Sequence, residues 1–517
     1  MSYIVKQKLG PIGRVRRALG VLMTGTGLKV YGAHPYKGGE VNRLNKTWQP
    51  NHYSGDGAVA EDWELLTARI RDLGRNDPAI RSLKRALLDH VVSTGIGTTA
   101  NVTVAGELVE DFNAESDELF EWWSENECDV ERRLSWPDMQ RQLFEELLET
   151  GDALLLRCAD PDRARSIPLC YQALEAEQLD AMKDQLPGAG RNEIKRGIEF
   201  DRRGRRAAYW LFSAHPSDPH AAFSTRSIRV PAERVIHFTL PGRPSQTRGV
   251  GLYNAIIQSA RDLDNYLGSE LTSATIASLF TVVHKTKTPG TGMGFVGDGS
   301  ETDASDDYGN PLIKLGRGIV SQIPREDDVT PVKVDRPNNK ADTFVRLILM
   351  LMGMGGGVSR YRLTRDYSGT TYIASRAAHI DDRASFRPLQ GYFGRQLCLP
   401  VRRDFQLQTA AYGGFSSVSA TQFRRQLRRW QRLQLQLPGW EMLDPEKETD
   451  AAIARIGAGL STLEEECAAR GKNWRRVILQ RKREQDFAAE HGVTLNLMRP
   501  STAGQGGQAE PEPVAEE

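Results

Sequence analysis

Arg360, Arg362, Arg365 and Tyr367 fall in one short stretch, directly after the glycine run Gly353-Met354-Gly355-Gly356-Gly357. Guanidinium groups and an aromatic ring at that spacing suit contact with nucleic-acid phosphate, which positions a backbone without reading its sequence. Asp366 partly offsets the charge, and the same arginines could equally pair with carboxylates on another copy of the chain. A second basic group, Lys285, Lys287, Lys333, Arg336 and Lys340, flanks a Gly-, Ser- and Asp-rich stretch. Arg424–Arg432 (RRQLRRWQR) is more basic still, and a helix with that face would serve as well for acidic protein surfaces.

Other chemistries find no support. A nucleotide-driven motor needs GxxxxGK[ST], whose backbone N–H groups cradle phosphate, and the chain has none. Neither HExxH nor GxSxG occurs. The nine histidines have no partner four residues away, and His237, in an apolar run, reads as a satisfied core residue. Asp306-Asp307, Asp327-Asp328 and Asp381-Asp382 read as solvated surface. Cys128, Cys158, Cys170, Cys398 and Cys467 show no metal spacing and read as reduced thiols. No catalytic residue, cofactor or metal is expected.

These residues need elements to hold them. The 517-residue chain has ordinary globular composition, 39% hydrophobic and 26% charged, with a formal net charge of +1. No secretory signal or membrane span is expected. Residues 1–57 read as a basic arm. Helices begin near Glu61, restart at Asn76-Asp77-Pro78 and run to about Ser93. Further helices are expected over Ser116–Asn126 and from Ser135-Trp136-Pro137 to Glu149, where Gly151 ends the last. Between Ala153 and His237 short apolar runs predict strands, with a hairpin turn at Asp201–Gly204. Apolar residues from Leu252 to Phe280 recur at helical spacing, and an unbroken helix there would reach roughly 45 Å. Its stripe includes Leu263, Leu267, Leu271, Ala274 and Ser278, and its small residues permit close helix contact. Residues 285–336 read as a loop feeding a small β unit. Asn338–Met354 reads as a second helix that the glycine run must break. A loop over 358–372 and a helix from about Ile373 follow, with more helices at 419–436 and 445–493. From Arg499 the acidic, Pro/Gly-rich tail reads as disordered.

The wording of several segments is similar to the lambda-like portal proteins of tailed bacteriophages. RIRDLGRNDPAIRSLKRALLDHVVSTGI, FNAESDELFEWWSENECDVERRLSWPDMQRQLFEELLETGDALL, GIEFDRRGRRAAYWLF, RVIHFTLPGRPSQTRGV, ARDLDNYLGSEL, YRLTRDYSGTTYIASRAA and PGWEMLDPEKETDAAIARIGAGLSTLEEECAARG follow in that family's order. The resemblance covers roughly residues 10–495.

It implies an α+β portal fold assembled as a ring, usually of twelve copies, at one capsid vertex of the virion. The divisions it implies are an arm (1–57), a wing (58–248 and 373–440), a first stem helix (249–284) and a clip (285–336). A second stem helix (337–357), a tunnel loop (358–372), a helical crown (441–498) and a tail (499–517) complete them. Arg360, Arg362, Arg365 and Tyr367 become tunnel-loop residues facing double-stranded DNA. Lys285, Lys287, Lys333, Arg336 and Lys340 become stem–clip residues, and Leu263, Leu267, Leu271, Ala274 and Ser278 pack the stem. The implied partners are copies of itself, terminase large subunit, head-completion or adaptor proteins, the major capsid protein and scaffold. Assembly would occur in the bacterial host cytoplasm, with DNA packaged and later ejected through the bore. A near-neutral surface suits a duplex that must slide, since each neutralised phosphate adds drag. The rival expectations are an assembly scaffold without a DNA path and a nucleic-acid enzyme.

Overall fold

The computed structural model describes residues 43, 47, 50, 52–162, 165–220, 226–240, 242–279, 283–285, 321–323, 341–441 and 444–493. Residues 1–54 make one unit and residues 55–517 the other. Most of the arm, most of the 285–336 segment and the tail lie outside the described residues, as do Lys287, Lys333, Arg336 and Lys340.

Helices α1 (Gly55–Ala60), α2 (Trp63–Asn76) and α3 (Pro78–Leu87) open the second unit, and α3 runs on as a π turn through Val92. Asp77 caps α3 by accepting the Ile80 N–H at 2.7 Å, with Pro78 in the first turn, where its missing N–H costs nothing. Strands β1 (Gly97–Ala100), β2 (Thr103–Val104) and β3 (Glu107–Leu108) precede α4 (Glu110–Asn126) and α5 (Trp136–Thr150). A Ser135/Asp138 capping box starts α5, and Gly151 ends it in the left-handed conformation.

Strands β4 (Asp152–Ala159), β5 (Leu169–Leu174), β6 (Glu193–Lys195), β7 (Ile198–Phe200), β8 (Arg206–Leu211), β9 (Ile228–Pro231) and β10 (Val235–Thr239) follow. They form two antiparallel sheets, ordered β10-β4-β5 and β6-β7-β8-β9. The expected turn joins β7 to β8, where the Gly204 N–H donates to the Asp201 carbonyl at 2.9 Å. Leu154, Leu174, Ile198, Tyr209 and Leu211 fill a core shared by the two sheets.

Helix α6 (Ile257–Leu279) starts one 3-10 turn later than expected, after Leu252–Ile256. Strands β11 (Val283–Lys285) and β12 (Ser321–Ile323) pair in parallel. Next come α7 (Ala341–Gly356), α8 (Arg360–Thr364), α9 (Tyr372–Phe393), a π turn over Gly394–Cys398 and α10 (Leu399–Ala411). Helices α11 (Ala420–Arg425) and α12 (Leu427–Trp430), strand β13 (Leu433–Gln436), and helices α13 (Pro445–Gly457), α14 (Leu463–Ala469) and α15 (Trp474–Glu490) complete the chain.

The largest core joins α3, α4, α5, β4, α6, α7, α9 and α10 through buried side chains such as Leu83, Trp123, Phe144, Phe386, Phe393 and Phe405.

Three expectations are corrected. The glycine run does break α7, but at its last member and not at Met354, because Gly355 and Gly356 stay helical and let helices touch. A Cβ on Gly355 would lie 2.4 Å from Ile256 Cγ2, and one on Gly356 2.4 Å from Leu83 Cδ2. The break falls at Gly357, at φ +72°. Residues 433–436 are not helical, because their Leu-Gln alternation pairs them with β1 in antiparallel register. The 358–372 loop contains a helical turn, α8. Gly356→Ala, a change that favours most helices, is expected here to destabilise by about 1–3 kcal/mol through overpacking against Leu83. Thermal or urea unfolding checks the sign.

Candidate nucleic-acid and subunit interface

The turn that launches α6 is held from beneath. Asp152, at the start of β4, is fully buried and ion-paired with Arg248, and its other oxygen accepts the Gly249 N–H at 2.6 Å. His237 Nε2 lies 3.3 Å from the same oxygen. Arg248 also donates to the Ala176 carbonyl at 3.0 Å and stacks over Trp63 at 4.4 Å. Burial alone would raise the Asp152 carboxyl, but Arg248 and His237 outweigh it and hold it far below the usual carboxylate range. Burial pushes the His237 imidazole down against the pull of Asp152, so His237 is a satisfied core residue. Gly249 and Gly251 let this turn lie against the end of α5, where added Cβ atoms would fall 1.8 Å from the Gly151 carbonyl oxygen and 2.0 Å from that of Glu149.

Beyond that root, α6 and α7 contact each other, with Tyr266 and Phe344 ring centroids 4.8 Å apart. Leu263 is buried, but Leu267 and Ala274 are exposed and Leu271 is 71% exposed. Helix α7 is apolar nearly all round. Its Val345, Ile348 and Leu349 pack on the core, while Phe344, Leu347, Met350 and Leu351 are exposed and Met354 is 71% exposed. A helix with that composition is normally buried on every side. Side chains at Ser278 and Lys285 lie outside the described residues.

The 357–372 segment is pinned rather than loose. Ser359 donates to Asp382 of α9 through its N–H at 2.8 Å and its hydroxyl at 2.7 Å. The Leu363 side chain is buried, and its carbonyl accepts from Ser82 Oγ of α3 at 2.7 Å. The Arg362 side chain is only 13% exposed, with Nε 3.1 Å from Asp382 and Nη1 against His90 Nε2. This guanidinium is engaged inside the chain. Arg360 is half-buried, lying 4.7 Å over the Tyr361 ring, and Arg365 is exposed at the left-handed end of α8. Exposed Tyr367 stacks on Tyr361 at 5.9 Å. Sequence reading passed over Tyr361, whose hydroxyl accepts from Thr370 Oγ1 at 2.6 Å and closes the segment on itself. The outward groups are therefore Arg360, Arg365 and Tyr367, set on a rigid turn.

Burial, and then the Arg362 charge, lower the His90 imidazole to about 4. A folded value below the unfolded one means the contribution is whole above about pH 6.5. It is lost as pH falls toward 4. The thermal midpoint should therefore drop over that window less steeply in His90→Gln than in wild type, and parallel curves would contradict this.

Among the described residues, no group of three or more His, Cys, Asp or Glu is arranged to hold a metal, and no helix is long and apolar enough to cross a membrane. All five cysteines are unpaired. A family profile described as "Phage portal protein, lambda family" matches residues 41–390, more than half of the chain. The chain is 24% identical to the "Probable portal protein" of Halomonas phage phiHAP-1, covering 81% of this chain and 80% of that one. It is 22% identical to "Portal protein B" of Escherichia phage lambda, covering 89% and 90% respectively. A solved chain from "Virion of native gene transfer agent (GTA) particle" aligns with a TM-score of 0.38 at 12% identity, covering 80% and 94%.

Proposed function

The chain belongs to the lambda family of phage portal proteins, non-enzymatic components of the virion, and from that premise we propose that its copies close into a ring through which double-stranded DNA is packaged and ejected. The observation that carries the reading is the pair α6 and α7. In one chain they leave the large apolar side chains Leu267, Leu271, Leu347, Met350 and Met354 exposed, the kind of side chain that marks an interaction surface when it stands in groups. In a ring, where one face of each subunit meets a different face of the next, that surface is covered twelve times over. The two helices serve as the stem. Residues 285–336 serve as the clip that receives terminase and head-completion proteins, the sheets as the wing and α13 to α15 as the crown.

The 357–372 turn narrows the bore. Each subunit offers Arg360, Arg365 and Tyr367 to the passing backbone, while Arg362 keeps the turn in place. Backbone contacts of this kind carry no sequence preference, as passage of a whole genome requires. Tyr367 stacks on Tyr361, and Arg360 lies over the Tyr361 ring, so the aromatic pair supports the arginine beside it. Arg360→Glu with Arg365→Glu is expected to leave ring assembly intact and to lower DNA packaged in a reconstituted reaction by about tenfold, through repulsion of phosphate at every subunit. Wild-type packaging by rings of that variant would contradict the assigned bore.

A further inference from the structure

The turn between β6 and β7 holds a residue that local preference disfavours. Arg196 and Gly197 alone link the paired residues Lys195 and Ile198, and both have positive φ, +49° and +81°. A two-residue hairpin of that kind normally takes Asn, Asp or Gly first, because a longer side chain is strained in the left-handed region. An arginine at a hairpin tip is ordinarily solvated, yet Arg196 is only 8% exposed. Its backbone N–H donates to Asp184 at 2.6 Å, but the guanidinium Nε and Nη1 are enclosed and meet no acceptor. Arg248 is in the same state at Nη1, its other nitrogens being taken by Asp152 and the Ala176 carbonyl. Trp63, over whose ring Arg248 lies, also has a buried Nε1 without a partner.

The local charge does not balance. Burial, and next the Arg248 charge, push the Arg196 guanidinium below its ordinary value, so the two cations stand close enough to repel. Asp152 is spent on Arg248 and the Gly249 N–H, and burial keeps His237 neutral. Asp56 is taken by the Thr247 N–H and hydroxyl, and Asp184 by the Arg196 N–H. One enclosed positive charge is left over, a state strongly unfavourable unless something compensates it. A water molecule would accept from these donors, but it brings two hydrogens that need acceptors and no charge. An anion meets both needs. We propose that Arg196 and Arg248 together hold one halide-class anion in the wall between the β6–β7 turn and the turn that launches α6. The ion neutralises Arg196, ties the hairpin to the Arg248–Asp152 pair and so braces the root of α6. It also accounts for an arginine kept at a strained position. Enclosure of the three nitrogens suits a small monovalent ion better than phosphate. The site is complete within one subunit and independent of ring closure.

The test is thermal unfolding of the full-length chain in sodium chloride against sodium gluconate at one ionic strength, with Arg196→Asn as the variant. Asparagine suits the left-handed turn and removes the enclosed charge, so folding is not at risk. Wild type should melt higher in chloride, by about 1–2 °C for each tenfold rise in chloride once the site begins to fill. Arg196→Asn should show no such slope, and in gluconate it should melt at or above wild type, because it has shed an unpaired cation. Anomalous diffraction from a bromide-soaked wild-type crystal should place one ion against both guanidinium groups. Equal wild-type midpoints in the two salts would overturn the site, as would a water found in place of bromide. An Arg196→Asn variant that keeps the wild-type slope would overturn it too, by assigning the response to the surface. Stabilisation by inorganic phosphate and not by chloride would overturn the assigned class of ion.

Discussion

Leu271→Lys combined with Met354→Lys is expected to leave a folded chain that no longer closes into rings. Both residues are 71% exposed in the single subunit, so within one copy the substitutions remove little packing and leave the new charges in solvent. Between copies the account is different. Burying each such side chain is worth about 1.5–3 kcal/mol, so the pair contributes roughly 3–6 kcal/mol at every interface. An ammonium group left in a closed interface adds a desolvation penalty. A loss of that size amounts to at least a hundredfold in each association step, and a closed ring multiplies it around the circle. Size-exclusion chromatography of the double variant should show monomer with an unchanged circular dichroism spectrum and melting midpoint. Wild-type rings from this variant would remove α6 and α7 from the interface.

Asp152→Ala is expected to act in the opposite way, on the subunit before the assembly. Asp152 is the fully buried anion under the α6 turn, and removing it strands the Arg248 guanidinium, the Gly249 N–H and His237 together. Breaking a buried pair by deleting one partner costs about 3–5 kcal/mol. Because the folded carboxyl is held below its unfolded value, its contribution is present above about pH 4 and vanishes only in stronger acid. The deficit of the variant should therefore be full at neutral pH. Urea unfolding of wild type and variant at pH 7 measures it, and a difference under 1 kcal/mol would mean the cluster is relieved by water.

Much of the architecture is legible in local chemistry. Asp77-Pro78, Ser135-Trp136-Pro137 and Gly151 mark helix ends because caps and left-handed glycines act within one turn of chain. The 201–204 hairpin and the core placement of His237 follow from equally short patterns. What escapes is set by contacts distant in sequence. Gly355 and Gly356 look like helix breakers until Ile256 and Leu83 are seen against them. Residues 433–436 continue a basic, helix-forming run and become a strand because β1, more than three hundred residues away, supplies a pairing edge. The candidate site divides for the same reason. Arg360, Arg362 and Arg365 are alike in sequence, yet Asp382 and His90 draw only Arg362 inward. Tyr361 has no sequence mark beyond its aromatic ring, and its role comes from Thr370 and Tyr367 folding back on it.

Imaging the purified protein by negative stain, with its mass measured in the same preparation, bears most directly on the whole reading. The ring account predicts annular particles with an open centre and a mass that is a whole multiple of 57.6 kDa. A compact monomer at every concentration tested, or solid particles without a bore, would contradict it.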